Sequence, residues 1–471
     1  MMDTATAARA VGGQVVGANL TFSRVVTDTR KLSSGDLFVA LPGERFDGHD
    51  FVPTAFERGA VAALVAADRA PGIPGNLIAV EDPRRALLAL AAHWRGQFGI
   101  PVVVVVGSNG KTTVKEMVAS ILRLHYGASR VLATDGNLNN AIGLPLTLLG
   151  LRNAHQVAVI ELGMNHRGET AELAAVAKPT VAVVNNAQRE HQEFMHTVAE
   201  VAAEHADLIR ALPPGGVAVV NADDAFVDAW REAARQSPGV SVVEFGLDHP
   251  AAVRGRFAAV ANGSLLSLST PAGDASVTLS VPGRHTAGNA LAAATAALSL
   301  GVSLAPVVRG LEAFRAVPGR LAAMRAASGA AVIDDSYNAN PDSVRAAIAV
   351  LGAAPSPKWL VLGDMGEVGA FARAAGIDRL LTIGTLAAEA GVAFGAGADH
   401  FATVDALTRH VVAEAGPDVT LLVKGSRFMQ MERVVAALAG SEVPPEHASH
   451  ASPRGGRRPR GGPSDGAAGA H

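Results

Sequence analysis

The chain has 471 residues, about half of them hydrophobic, a net charge of −3 and no cysteine. That length suggests two to four domains of ordinary size. The charge gives no global footprint for nucleic acid or an anionic membrane, and the missing cysteines exclude disulfides and thiolate metal sites, as suits a reducing compartment.

The first residues, "MMDTATAARAVGGQVVG", carry an early acid and no continuous apolar run, so no secretory signal is expected. After a boundary at "GQFGIP" (96–101), β-rich runs alternate with alanine-rich helical patterns. The runs lie at 102–106, 157–161, 181–185 and 217–220, then at 331–335, 359–363 and 420–424. Continuous apolar strands separated by helices imply an α/β chain with mainly parallel sheets, covered on both faces. Ligands in such folds sit beyond the carboxyl ends of the strands. Those ends carry Gly107, Glu161, Asn185, Asp334, Gly363 and Lys424, residue types not chosen for packing.

The first run opens into "GSNGKTT", Gly107, Ser108, Asn109, Gly110, Lys111, Thr112 and Thr113. Its glycines let backbone amides turn inward, and a following helix adds its positive end. Lys111 would reach the terminal phosphates of ATP, and Thr112 a magnesium ion that bridges them. The first glycine stands three residues before Gly110, where the usual phosphate loop has five. Glu161 would complete the magnesium shell; its other reading is a strand-end acid capping the next helix. His191, after the 181–185 run, is by spacing alone an ordinary half-buried histidine.

Residues 286–308 are free of charge, but they are alanine-rich and interrupted by Gly301 and Pro306, so they read as packed helix and not a membrane span. A second boundary falls at "AVPGR" (316–320). The expected domains are therefore 1–98, 99–316 and 317–440. From residue 441 the chain is rich in Pro, Gly, Arg and His without periodic hydrophobics, so 441–471 reads as a disordered, solvated tail with no nucleic-acid partner.

The ordered set "GSNGKTT", "GNLNNAIG", "IELGMN", "PGRHTAGNALAA", "VPGRL", "DDSYNANP", "GDMGE" and "KGS", with "TDTRKLSSGDLFVALPGERFDGHDF" before it, resembles the Mur ligases from about residue 27 to 438. That resemblance implies an N-terminal UDP-binding α/β domain, a central P-loop ATPase domain and a C-terminal Rossmann-like domain. It also implies a cytoplasmic, monomeric ligase of peptidoglycan precursor synthesis, and so of cell-wall growth, cell shape and division. The substrates would be ATP with Mg2+, UDP-N-acetylmuramoyl tripeptide and D-alanyl-D-alanine. The "DDSYNANP" run points to the dipeptide, against relatives that add a third residue, and the N-terminal UDP-like domain argues against relatives that add glutamate to folate.

By the same resemblance, Thr112, Glu161 and His191 would be metal ligands, with Lys111 catalytic. Asn289 would touch the adenine and Arg320 the nucleotide. Thr27, Thr29, Arg30, Asp47, Gly48 and His49 would hold the uridine diphosphate, and Asn137, Asn139 and Asn140 the sugar phosphate or peptide. Asp335, Tyr337, Asn338, Asn340, Lys424 and Ser426 would serve the dipeptide.

Two places depart from the family pattern. His205 stands where most members have a carbamylated lysine, and is expected to hold a second ion through water or to touch phosphate. The family's dozen or so extra residues after "GDMGEVG" are missing, so a helix beginning near Gly369 is expected to be short and to leave part of the sheet exposed. A non-catalytic protein that binds UDP-sugar and ATP is the reading from another class.

Overall fold

The computed structural model describes residues 1–43, 46–190, 194–260 and 263–440. Three main sheets follow one another along the chain. The first has five strands in the order Gln14–Val16, Leu77–Val80, Ala62–Ala66, Asp36–Val39, Arg24–Val26. All its pairs are parallel except the first.

The nine-stranded central sheet runs Gly273–Leu279, Gly263–Thr270, Val253–Val260, Ser241–Gly246, Val217–Asn221, Val181–Val184, Val102–Val106, Val157–Glu161, Val131–Ala133. Its last seven strands are parallel, and the first three form an antiparallel meander. That meander departs from the expectation of helix-separated strands. The Val253–Val260 strand alternates buried and exposed residues over its first half, as a half-solvated antiparallel edge should.

The six-stranded sheet runs Ala322–Arg325, Ala331–Asp335, Thr420–Gly425, Lys358–Gly363, Arg379–Ile383, Ala398–Phe401, antiparallel only at its first pair.

The valine run shows how sequence periodicity joins these parts. Successive strand residues face opposite sides. Val103 and Val105 enter a core that continues through the Arg284–Ser299 helix to Leu360 and Leu380 of the third sheet. Val102, Val104 and Val106 enter a second core shared with Leu37 and Leu64 of the first sheet and Leu87 of the Pro83–Arg95 helix. All five valines are buried, because each face is covered. β-branched side chains suit that doubly packed position.

Residues 286–308 fold as parts of two helices, Arg284–Ser299 and Leu304–Ala313, and among the described residues no helix is long and apolar enough to cross a membrane. Their alanines and glycines permit close approach: a Cβ on Gly310 would lie 2.4 Å from the Ile121 Cα.

The helix after the 358–363 strand is indeed short, Gly369–Ala374. The expected exposure of the sheet does not follow. Leu360, Leu362 and Leu380 are fully buried in one core with Val368, Ala372 and Ile377 and with Val344, Ile348 and Leu351 of the Pro341–Gly352 helix. Gly369 packs tightly against the Thr385–Phe394 helix, where a Cβ would come within 1.9 Å of the Ala390 carbonyl oxygen. The expected tail, 441–471, lies outside the described residues.

Candidate functional site

The Val102–Val106 strand delivers the chain to Gly107 and Gly110, both at positive φ (145° and 81°), and the Lys111–Tyr126 helix starts immediately afterwards. Its first bond runs from Val114 N to Gly110 O, which leaves the amides of Lys111, Thr112 and Thr113 without intrahelical partners at the positive helix end. Three asparagines brace the loop from behind. Asn186 Oδ1 accepts from Asn109 N (2.9 Å) and Asn186 Nδ2 donates to Asn109 O (2.9 Å). Asn185 Nδ2 donates to Asn109 O (2.8 Å) and to Asn289 Oδ1 (2.9 Å). Asn289 thus sits against Gly110, so its amide meets the loop itself while also lining the cavity.

A cavity of about 2600 Å³ spreads from this loop to the third sheet. Lys111 enters it with its ammonium donating to Gly107 O and paired with Glu190 at 3.2 Å. Thr112 is next to it, and Glu161 closes the neighbouring strand. The Glu161 carboxylate is held on one side only: Oε1 accepts from Asn139 Nδ2 at 2.7 Å, whereas the buried Oε2 has no hydrogen-bond partner among the described residues. A buried, half-satisfied carboxylate beside a phosphate loop fits a hard divalent cation. No three His, Asp or Glu side chains gather around one point among the described residues, so such an ion would take its remaining oxygens from Thr112, phosphate and water. Behind Glu161, the fully buried Lys115 donates to Thr134 O (2.7 Å), and Thr134 Oγ1 accepts from Glu161 N (2.9 Å).

On the opposite wall, Lys424 Nζ pairs with Asp335 Oδ2 at 2.6 Å and donates to Asn338 O at 2.9 Å. Burial pushes the Asp335 carboxyl up, against the pull of Lys424. His285 faces the same space, and burial with nearby Lys424 brings its pKa down to about 4. The Arg320 guanidinium stacks 4.3 Å from the Tyr337 ring centroid, a cation–π contact that fixes both at the rim. Asn340 caps the Pro341–Gly352 helix in a capping box with Ser343 and exchanges amide hydrogen bonds with Asn109 (2.9 and 3.3 Å). Ser426 also lines the cavity.

The expected residues fall into three sets. Ser108, Asn109, Gly110, Lys111, Thr112, Thr113, Glu161, Asn139, Asn140, Asn289, Arg320, Asp335, Tyr337, Asn338, Asn340, Lys424 and Ser426 share the cavity. Thr27, Thr29, Arg30, Asp47, Gly48, His49 and Asn137 do not line it. In that first-sheet region His49 is buried with both ring nitrogens engaged, Nδ1 with Asp47 and Nε2 accepting from Ala66 N. His191 lies outside the described residues. His205 is buried on the Val198–Arg210 helix, 3.5 Å from Glu190, and does not reach the cavity wall. Glu190 lies against both the His205 imidazole and the Lys111 ammonium. Sequence reasoning missed Glu190, Arg189 and Asp342, which follow a strand end or open a helix, and whose pairings form only across long separations.

Together, the parallel sheets and the glycine loop at the head of a helix define an α/β protein of the phosphate-loop type, with its third sheet forming part of the cavity wall. The Mur ligase family catalytic domain matches residues 21–95, the Mur ligase middle domain residues 105–297, and the Mur ligase glutamate ligase domain residues 319–427. The chain belongs to the Mur ligase family. It is 42% identical over 447 residues to the UDP-N-acetylmuramoyl-tripeptide–D-alanyl-D-alanine ligase of Escherichia coli, covering 91% of this chain and 96% of that protein. The Bacillus subtilis enzyme of the same name is 33% identical, with 89% and 93% covered. Among solved structures, MurF from Acinetobacter baumannii superposes with a TM-score of 0.85 at 33% identity, covering 93% of this chain and 99% of that one. MurF ligase from Thermotoga maritima in complex with ADP gives 0.74 at 25% identity, covering 88% and 97%.

Proposed function

We propose that this chain is an ATP-dependent ligase that joins D-alanyl-D-alanine to UDP-N-acetylmuramoyl tripeptide, in the cytoplasmic assembly of peptidoglycan precursors. The observation that carries the reading is one cavity lined by Lys111 and Glu161 on one wall and by Asp335 and Lys424 on the other. A phosphoryl donor and an incoming amine can meet there.

A carboxylate resists attack by an amine because oxide is a poor leaving group. Transfer of the γ-phosphoryl of ATP to a tripeptide carboxylate oxygen breaks the bond to ADP and makes an acyl phosphate. The neutral amine of the dipeptide then adds to the carbonyl carbon, loses its proton, and phosphate departs as the amide forms. Phosphoryl transfer brings two anions together, so positive charge fixed in advance is the main catalytic device. Lys111 and the amides at the head of its helix supply it from this chain. Magnesium, held by Thr112 and Glu161, would neutralise phosphate charge. Arg320 would contact the nucleotide, and Asn289 would keep the phosphate loop in shape. Asp335, Tyr337, Asn338, Asn340, Lys424 and Ser426 would surround the dipeptide, with the Lys424 ammonium suited to its carboxylate. Asn139 and Asn140 would meet the sugar phosphate or peptide, and the UDP group would lie with Thr27, Thr29, Arg30 and Asp47. Divisions near residues 98 and 316 separate the three working units.

Phosphate release, measured with ATP, tripeptide and dipeptide omitted in turn, tests the proposal. Release should need all three; release undiminished without the dipeptide would refute it. Oxygen-18 placed in the tripeptide carboxylate should appear in the phosphate released.

A further inference from the structure

We propose that Arg189 is a positioning residue that locks the third-sheet unit over the phosphate loop, so that the amine reaches the activated carboxyl before water does; this rests on the ligase reading above. Three consecutive residues grip both sides of the cavity. Gln188 binds the loop, its N donating to Ser108 Oγ (2.8 Å) and its Oε1 accepting from Asn109 Nδ2 (2.5 Å). Glu190 binds Lys111 at 3.2 Å. Between them, Arg189 turns the other way. Its Nη2 donates to Asp342 Oδ1 (2.9 Å), its Nε and backbone N to Asp342 Oδ2 (3.3 and 3.2 Å), and its Nη1 to Glu367 Oε2 (2.8 Å).

Asp342 lies in the first turn of the Pro341–Gly352 helix, beside the Asn340 cap that bonds Asn109. The helix is therefore fastened at two adjacent points, to Asn109 of the phosphate loop by a neutral contact and to Arg189 of the segment beside it by an ionic one. The forked, charge-assisted pair is the stronger and the more orientation-specific of the two. Arg189 and Asp342 are about a quarter exposed (26% and 25%), so the pair sits at the rim, and removing it opens no cavity in a core. Glu367 is 64% exposed and contributes less. An acyl phosphate hydrolyses wherever water reaches it, so the tightness of this seam sets how much phosphate is released per amide formed.

The test is the ratio of phosphate released to amide formed, together with separate KM values. For Arg189→Met the dipeptide KM should rise about tenfold while the ATP KM stays within about twofold. The phosphate-to-amide ratio should rise above one at low dipeptide, and Arg189→Lys should recover part of the coupling. Asp342→Asn reads the same contact from the other unit, and the double variant should be no worse than the worse single. A phosphate-to-amide ratio and dipeptide KM unchanged in both single variants would overturn the proposal. Small-angle scattering reads the latch without turnover. The radius of gyration should grow in Arg189→Met, and an unchanged radius there would count against the latch even if the wild-type protein joined no dipeptide, a result that would by itself refute only the ligase reading.

Discussion

Gly110→Ala puts the bracing of the phosphate loop to a quantitative test. Gly110 has φ 81°, a left-handed conformation that costs an alanine about 1–2 kcal/mol. A Cβ there would lie 2.4 Å from Asn289 Oδ1 and 2.8 Å from Asn185 Nδ2. Those atoms are bonded to each other, Asn185 Nδ2 also holds Asn109 O, and both side chains are buried. They cannot swing aside without leaving a buried polar group unpaired, a further cost of about 1–3 kcal/mol. The total is about 2–5 kcal/mol, shared between lower stability and a displaced loop. Gly72→Ala is the control, because Gly72 has φ 89° and nothing within 4 Å of its added Cβ. It carries the backbone strain alone. Urea unfolding should separate the two variants by at least about 1 kcal/mol, and the ATP KM should rise about tenfold or more in Gly110→Ala only. Asn289→Ala in the Gly110→Ala background should recover part of the loss. Equal urea midpoints and equal ATP KM values for the two glycine variants would refute the bracing.

Lys111→Met removes the cation facing the terminal phosphates and should lower kcat by about 10²–10³ while the far-ultraviolet circular dichroism stays unchanged; full turnover would remove the residue from the mechanism. Gly369→Ala should lower the melting temperature by several degrees, from about 1–3 kcal/mol of overpacking against the Ala390 carbonyl; an unchanged melting point would mean the two helices are not in such close contact. His285 links stability to pH. Its folded pKa of about 4 lies below the ordinary 6.5, so between those values the unfolded chain binds a proton that the folded chain does not. Its contribution is therefore lost as pH falls from about 6.5 to 4, by up to about 3 kcal/mol. His285→Gln should flatten the fall in urea midpoint over that range, and identical slopes would contradict the burial of the imidazole.

What could be read from the sequence, and what could not, follows from the distance over which each feature is determined. The valine run, the glycine loop and Lys111 lie within a dozen residues, so the strand, the turn and the start of the helix were legible from local sequence alone. Glu161 was legible as a strand-end carboxylate, but its half-satisfied state depends on Asn139, twenty-two positions away. The pairing of Arg189 with Asp342 spans 153 positions and leaves no periodic trace. The meander of residues 253–279 was missed because its strands are half polar, so they lack the continuous apolar runs that betray the parallel strands.

The short helix at Gly369 argues the same point from packing. A missing stretch of chain suggested an uncovered sheet, since coverage was judged by length. Coverage also depends on how closely a helix can approach. Gly369 brings its backbone against Ala390, and Val368 and Ala372 share one core with the buried strand residues Leu360, Leu362 and Leu380 and with Val344, Ile348 and Leu351 of the preceding helix. His205 makes the complementary case: its place in the family pattern suggested an ion held through water or a phosphate contact, and its place on the buried face of the Val198–Arg210 helix sets it against Glu190, a neighbour that the sequence did not reveal. The group that meets Lys111 is therefore the carboxylate, with the imidazole behind it. The Glu190 carboxylate balances the Lys111 charge, so on the ligase reading a terminal phosphate would compete with Glu190 for the same ammonium.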